Sequence, residues 1–119
     1  ALAGLSMGAG QADMIGLAAL DRFSVIGLFS GGGRDFAQRH AALLANPAAT
    51  NAQLAWLYIG VGSTDGLVLP SVRPMHEALQ AAGIRHTYRE LPGYGHSWPV
   101  WRHILYHEFL PRLFAPPTN

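Results

Sequence analysis

The chain has 119 residues, 50% of them hydrophobic and 13% charged, with a formal net charge of +1, which excludes disorder and suits one domain around one core. No run of about 18 apolar residues escapes interruption, so no helix is expected to span a bilayer, and the eight basic residues, all arginines scattered from Arg22 to Arg112, predict neither a nucleic-acid nor a membrane partner. Without cysteine, thiolate metal sites and cysteine nucleophiles are excluded, and any chemistry falls to Ser, His and carboxylates.

In chain order, Ala1-Leu2-Ala3 reads as the end of a strand. The sequence opens there without an initiator Met or a charged leader region, and is expected to be the C-terminal part of something longer. A helix from about Met7 carries Met7, Met14, Ile15 and Ala18 on one face. Phe23 to Phe29 is an apolar run stopped by Ser30 and three glycines, the punctuation of a buried strand. Asp35, with Gln38 three residues on, resembles a capping box opening a helix that aligns Phe36, His40, Leu43 and Leu44. Leu54 to Gly60 repeats the buried-strand pattern. Val72, Met75, Leu79 and Ala82 fall at helical spacing after Ser71, with Pro74 tolerable in the first turn and Gly83 as a stop. Ile84 to Leu91 alternates more polar residues and predicts a strand nearer an edge. A last helix from about Pro99 should turn Trp101, Ile104 and Leu105 inward, with Pro111 ending or kinking it. Residues 1–114 then form one region and 115–119 a loose tail.

Strands alternating with helices call for right-handed crossovers, so the expected class is α/β, a parallel sheet with helices on both faces. Working groups in such sheets gather beyond the carboxyl ends of the strands, which selects three places. In Gly4-Leu5-Ser6-Met7-Gly8 a serine occupies a sharp strand-to-helix turn, with glycines removing side chains that would collide. That turn would hold Ser6 out into the site and aim the Met7 N–H, at the positive end of a helix, at a developing oxyanion. A Gly-rich turn packing a helix onto a sheet is the plain alternative. Asp65, in the loop after the second apolar strand, suits an acid that orients an imidazole, although Asp65-Gly66 is also an ordinary turn former. His96 lies between Gly95 and Ser97 after the last strand and supplies the side-chain type that exchanges a proton near neutral pH, or else is a surface histidine. Ser, then Asp, then His, each after a successive strand, is the chain order of α/β-hydrolases.

Other groups fare worse. His103 and His107 have the i, i+4 spacing of a zinc pair but lack a third ligand in register, and read as a half-buried helix face. Gly31-Gly32-Gly33 lacks the Lys-Ser/Thr of a phosphate loop. Asp13, Asp21 and Asp35 read as solvated or capping groups.

Ala3 to Gln11, Asp21-Arg22-Phe23, His86-Thr87-Tyr88 and Gly95-His96-Ser97-Trp98-Pro99-Val100-Trp101 resemble the esterase family that includes feruloyl esterases, acetylxylan esterases and enterochelin-esterase-like proteins. The resemblance implies the C-terminal portion of an α/β-hydrolase, with Ser6 as nucleophile, Asp65 as triad acid, His96 as base, Met7 as one oxyanion donor and Trp98 near the pocket. It implies no cofactor or metal, carbohydrate-linked feruloyl or acetyl esters as substrates, and export to a secreted or periplasmic location. Family members often carry Gly where this chain has Ala9. They also have a long region before the elbow, expected to supply a second oxyanion N–H and part of the pocket. Its absence from this sequence predicts an exposed edge beside the Phe23 strand and a companion, either an N-terminal segment or a second copy. Two other readings share the fold: a catalytically impaired fragment acting as a binding module, and an acyltransferase.

Overall fold

The structure, a computed structural model, describes residues 1–115, so the expected tail lies outside the described residues except for Ala115. Its elements are β1 (Leu2–Leu5), α1 (Met7–Gly16), β2 (Val25–Phe29), three short helices α2 (Phe36–Arg39), α3 (Ala41–Ala45) and α4 (Pro47–Gln53), β3 (Trp56–Gly62), α5 (Leu69–Ala82), β4 (Thr87–Leu91) and α6 (Trp98–His103). A π-helical turn, Ile104–Phe109, and a 3-10 turn, Leu110–Arg112, continue α6. The four strands form one parallel sheet in the order β1-β2-β3-β4, giving an α/β fold consistent with the C-terminal portion of an α/β-hydrolase.

Strand alternation divides the core in two. Ile26, Leu28, Leu57, Ile59 and Val61 point to the face covered by α1 and α5, where they meet Ala9, Ala12, Val72, Met75 and Leu79. Val25, Phe29 and Tyr58 point to the other face and pack on Val100, Ile104 and Phe109. Residues buried from both sides explain why β2 and β3 read as continuous apolar runs. The polar β4 is an edge strand, as its composition predicts.

Several local expectations change. Met7, Met14 and Ile15 face outward, and the buried face of α1 is instead Ala9, Ala12, Asp13 and Gly16, where a Cβ on Gly16 would already lie 3.0 Å from Ile26 Cδ1. Asp35 forms no capping bond and has φ 52°; the single helix expected after it breaks at His40 and again at Asn46, which precedes Pro47 and is thereby held out of helical geometry. Helix α5 starts at Leu69, so Ser71 lies inside its first turn and Pro74 within the helix, while Gly83 caps it at φ 79°. Residues 84–86 stay out of β4 because Asn51 Oδ1 takes the Arg85 N–H and the His86 ring donates to the Ile84 carbonyl. Leu105 is 41% exposed, since the wider π turn rotates it off the inward face; Ile104 and Phe109 fill that face instead. Pro111 sits in the 3-10 turn, where its missing N–H is tolerated. The side of β2 expected to be open is occupied by β1 over Leu2 to Leu5, so on that side the unpaired edge moves out to β1, while β4 forms the opposite edge.

Candidate active site

The register of the sheet brings the carboxyl ends of β1, β3 and β4 to one rim. At the end of β1 the pairing with β2 runs on to Ser6, whose N–H donates to the Phe29 carbonyl at 2.8 Å, and α1 begins at the next residue. Ser6 therefore turns the chain through φ 54°, ψ −117°, a conformation that costs a non-glycine residue about 1–3 kcal/mol and persists where surrounding contacts impose it. Gly4 is one such contact: a Cβ there would lie 2.2 Å from the Gly8 carbonyl oxygen. Gly8 has open space around it, so of the two elbow glycines only the first is required by packing in this structure. The Met7 N–H is the first of α1 and has no acceptor within the helix, while its side chain is exposed.

Asp65 follows β3. Its N–H donates to the Gly62 carbonyl at 3.1 Å, and its Oδ1 accepts the Val68 N–H at 3.3 Å. These bonds fix the carboxylate in a buried position, with Oδ2 accepting from His96 Nδ1 at 2.7 Å. The loops carrying the two residues are tied together: Thr64 N–H and Oγ1–H both donate to the Tyr94 carbonyl, and Ser63 Oγ accepts the Gly93 N–H. The His96 ring also stands nearly perpendicular to that of Trp101, at a centroid distance of 5.1 Å. His96 Nε2 lies 2.8 Å from Ser6 Oγ. With the Nδ1 proton committed to the carboxylate, Nε2 of the neutral ring is an acceptor and the Ser6 hydroxyl donates to it. The three side chains selected from the sequence thus lie in one hydrogen-bonded line.

A cleft of about 580 Å³ opens at Ser6, its lining including Met7, Gln11, Met14, Leu67, Arg34 and Arg39. A smaller hollow of about 240 Å³ lies against β1, lined by Leu5, Phe29, Trp98, Trp101 and Leu105. Trp98 is exposed and its ring stands nearly perpendicular to that of Trp101 at a centroid distance of 5.2 Å. His103 contacts His107 ring to ring at 5.0 Å and lies 3.8 Å from Glu108; among the described residues no three His, Asp or Glu side chains group to hold a metal.

Over residues 1–111 the sequence matches the model of a family described as "Putative esterase". The chain belongs to that esterase family. Membership places it among carboxylic-ester hydrolases of α/β fold, and the matched span includes Ser6, Asp65 and His96.

The structure of this esterase also corrects one reading and adds a cluster. Asp13 is neither solvated nor a cap but fully buried. Its Oδ2 accepts the Gly33 N–H at 2.9 Å and Arg39 Nη2–H at 2.7 Å, and its Oδ1 accepts from His40 Nε2 at 2.8 Å. Burial alone would raise this carboxyl, but the bonds from His40, Arg39 and Gly33 and the Arg39 charge outweigh it and hold the group below its ordinary value. A signal existed in the sequence: Asp13 shares a helical face with Ala9, Ala12 and Gly16, the face of smallest residues and hence of closest packing.

Proposed function

We propose that this esterase-family chain is a serine carboxylic-ester hydrolase acting through an acyl-enzyme, with Ser6 as nucleophile, His96 as base and Asp65 as the acid that orients it. The observation that carries this reading is the unbroken line from the Asp65 carboxylate through His96 to the Ser6 hydroxyl, at 2.7 and 2.8 Å. As Ser6 Oγ attacks the ester carbonyl carbon, its proton passes to His96 Nε2, and Asp65 stabilises the resulting imidazolium. The carbonyl oxygen becomes an oxyanion facing the positive end of α1, where the Met7 N–H donates to it. His96 then returns the proton to the departing alcohol oxygen, leaving Ser6 acylated. Water, deprotonated by the same imidazole, attacks the acyl carbon; the bond to Ser6 Oγ then breaks, the imidazolium returns its proton to that oxygen, and the acid leaves. These residues perform the cycle without a cofactor.

Carbohydrate-linked feruloyl or acetyl esters are the proposed substrates. The mixed wall of the cleft supports them, with Gln11, Arg34 and Asp35 available to hydroxyls beside Met7, Met14 and Leu67. Trp98 is the proposed contact for a planar acyl group. A fluorophosphonate probe should label Ser6 and spare the Ser6→Ala variant; a chain that resists labelling while folded would defeat the assignment. The open outer side of β1 supports a companion strand, from a further segment or a second copy. Light scattering that finds a fully active monomer would remove that part of the reading.

A further inference from the structure

The buried carboxylate of Asp13 has no place in the proposed reaction, yet it is built into the wall of the cleft. Asp13 lies on α1, the same helix that begins at the Ser6 turn. The loop that follows β2 crosses directly behind that turn: a Cβ on Gly31 would lie 2.3 Å from the Ser6 carbonyl oxygen, so loop and elbow are in backbone contact. Three bonds hold the loop there. Ser30 N–H donates to the Gly60 carbonyl, the Ser71 hydroxyl proton is shared between the Gly32 and Val68 carbonyls at 3.1 and 3.0 Å, and Gly33 N–H donates to Asp13 Oδ2. The last of these is the only one that ties the loop to the nucleophile's own helix, and its acceptor is charged, which makes it the stronger type of bond. The same oxygen fixes Arg39, whose Nε–H donates to the Arg34 carbonyl at 2.7 Å. One carboxylate therefore sets both the glycine loop and the arginine wall.

Resting on the esterase reading above, we infer that Asp13 is a positioning residue for substrate binding: through Gly33 and Arg39 it holds the 31–39 wall of the cleft at a fixed distance from Ser6 and so favours esters large enough to reach that wall. It touches no reacting atom. Its loss should act on the recognition of extended esters more than on the chemical step.

The test compares wild type with Asp13→Asn, which keeps the side-chain shape and removes the charge. Three esters are used: p-nitrophenyl acetate, p-nitrophenyl octanoate (long acyl arm) and an acetylated disaccharide (large alcohol arm). For at least one extended ester, KM should rise about tenfold more than for p-nitrophenyl acetate, with kcat changing less than KM. Amide exchange at Gly33 should accelerate at least tenfold. Should Asp13→Asn not fold, Arg39→Gln, at a partly exposed side chain, should shift the same KM ratio in the same direction. Equal KM changes for all three esters, or a Gly33 amide as protected in the variant as in wild type, would overturn the inference. Wild type that cleaves none of the esters would instead strike the esterase reading, and Gly33 exchange would still decide whether Asp13 holds the loop.

Discussion

Two aspartate–histidine pairs lie within this small domain, and their lengths are almost the same: 2.7 Å for Asp65–His96 and 2.8 Å for Asp13–His40. They differ in which ring nitrogen meets the carboxylate, in solvent access and in countercharge. His96 turns Nδ1 to its carboxylate and Nε2 to Ser6, and 22% of its side chain is exposed beside the cleft. His40 turns Nε2 to its carboxylate and is 6% exposed against the ring of Phe36. Asp13 also holds Arg39, so its charge is balanced whatever the imidazole does. Asp65 has an imidazole as its ion-pair partner, and that partner balances the charge only when it is protonated. A carboxylate with a standing cation organises structure, whereas one that waits for a cation stabilises the proton transfer that creates it. Pair geometry alone does not mark an active site; what the far nitrogen of the ring touches does.

The sharpest way to break this comparison is to delete each imidazole. His96→Ala should lower kcat for p-nitrophenyl acetate on the order of 10⁵- to 10⁶-fold, as expected when one member of a nucleophilic unit is lost, with little change in the urea midpoint. Asp65→Asn should cost about 10⁴-fold, because the amide no longer enforces the tautomer that leaves Nε2 free to accept. Stopped-flow or steady-state hydrolysis measures both. A His96→Ala enzyme within tenfold of wild type would end the proposed division of roles.

Asp13→Ala belongs to the other side of the comparison. It strands the Gly33 N–H, Arg39 and His40 around a buried gap, and unfolding in urea should show a loss of about 3–5 kcal/mol. The sign of the pH effect follows from the depressed carboxyl of Asp13. A group whose folded pKa lies below its unfolded value adds stability that is fully present above the unfolded pKa and is lost as pH falls through the folded one. The stability gap between wild type and Asp13→Asn should therefore be largest at neutral pH and narrow below about pH 4, the ordinary carboxylate value. Urea midpoints at pH 7 and pH 3 measure it, and a gap indifferent to pH would mean that Asp13 acts through shape and not charge.

Most of what positions the candidate site is written in local sequence. The runs read as Phe23 to Phe29 and Leu54 to Gly60 contain β2 and all but the last two residues of β3; these strands are buried on both faces and so are apolar without alternation. Ser6, Asp65 and His96 each follow a strand, and a parallel sheet delivers such residues to one rim whatever lies between them. The Asp13 cluster is less legible because its partners come from three places: α1, the glycine loop and the break between α2 and α3. That break itself follows from tertiary demand, since His40 leaves helical geometry where its ring reaches Asp13. Helix periodicity also misled at Met14 and Ile15, where size decided against burial. Apart from Asp13, the inner face of α1 carries nothing larger than Ala, and Gly16 would place a Cβ 3.0 Å from Ile26 Cδ1.

The smallest effect expected concerns the two tryptophans beside His96. Trp101 packs nearly perpendicular to the His96 ring, and Trp98 packs nearly perpendicular to Trp101. Trp98 is 62% exposed, and truncating a contact so open to water removes little binding free energy, below about 1 kcal/mol for a partial apolar surface. Trp98→Ala should raise KM for aromatic acyl esters by about two- to fivefold, with a smaller change in kcat. Trp101→Ala removes the wall that holds the imidazole in line with Ser6, and a misplacement of about 1 Å there can cost about 100-fold, so its loss should appear in kcat. Parallel kinetics on methyl ferulate and p-nitrophenyl acetate separate the two. If Trp98→Ala lowers kcat as much as Trp101→Ala does, Trp98 is supporting the histidine and the contact with the acyl group must be sought elsewhere in the hollow.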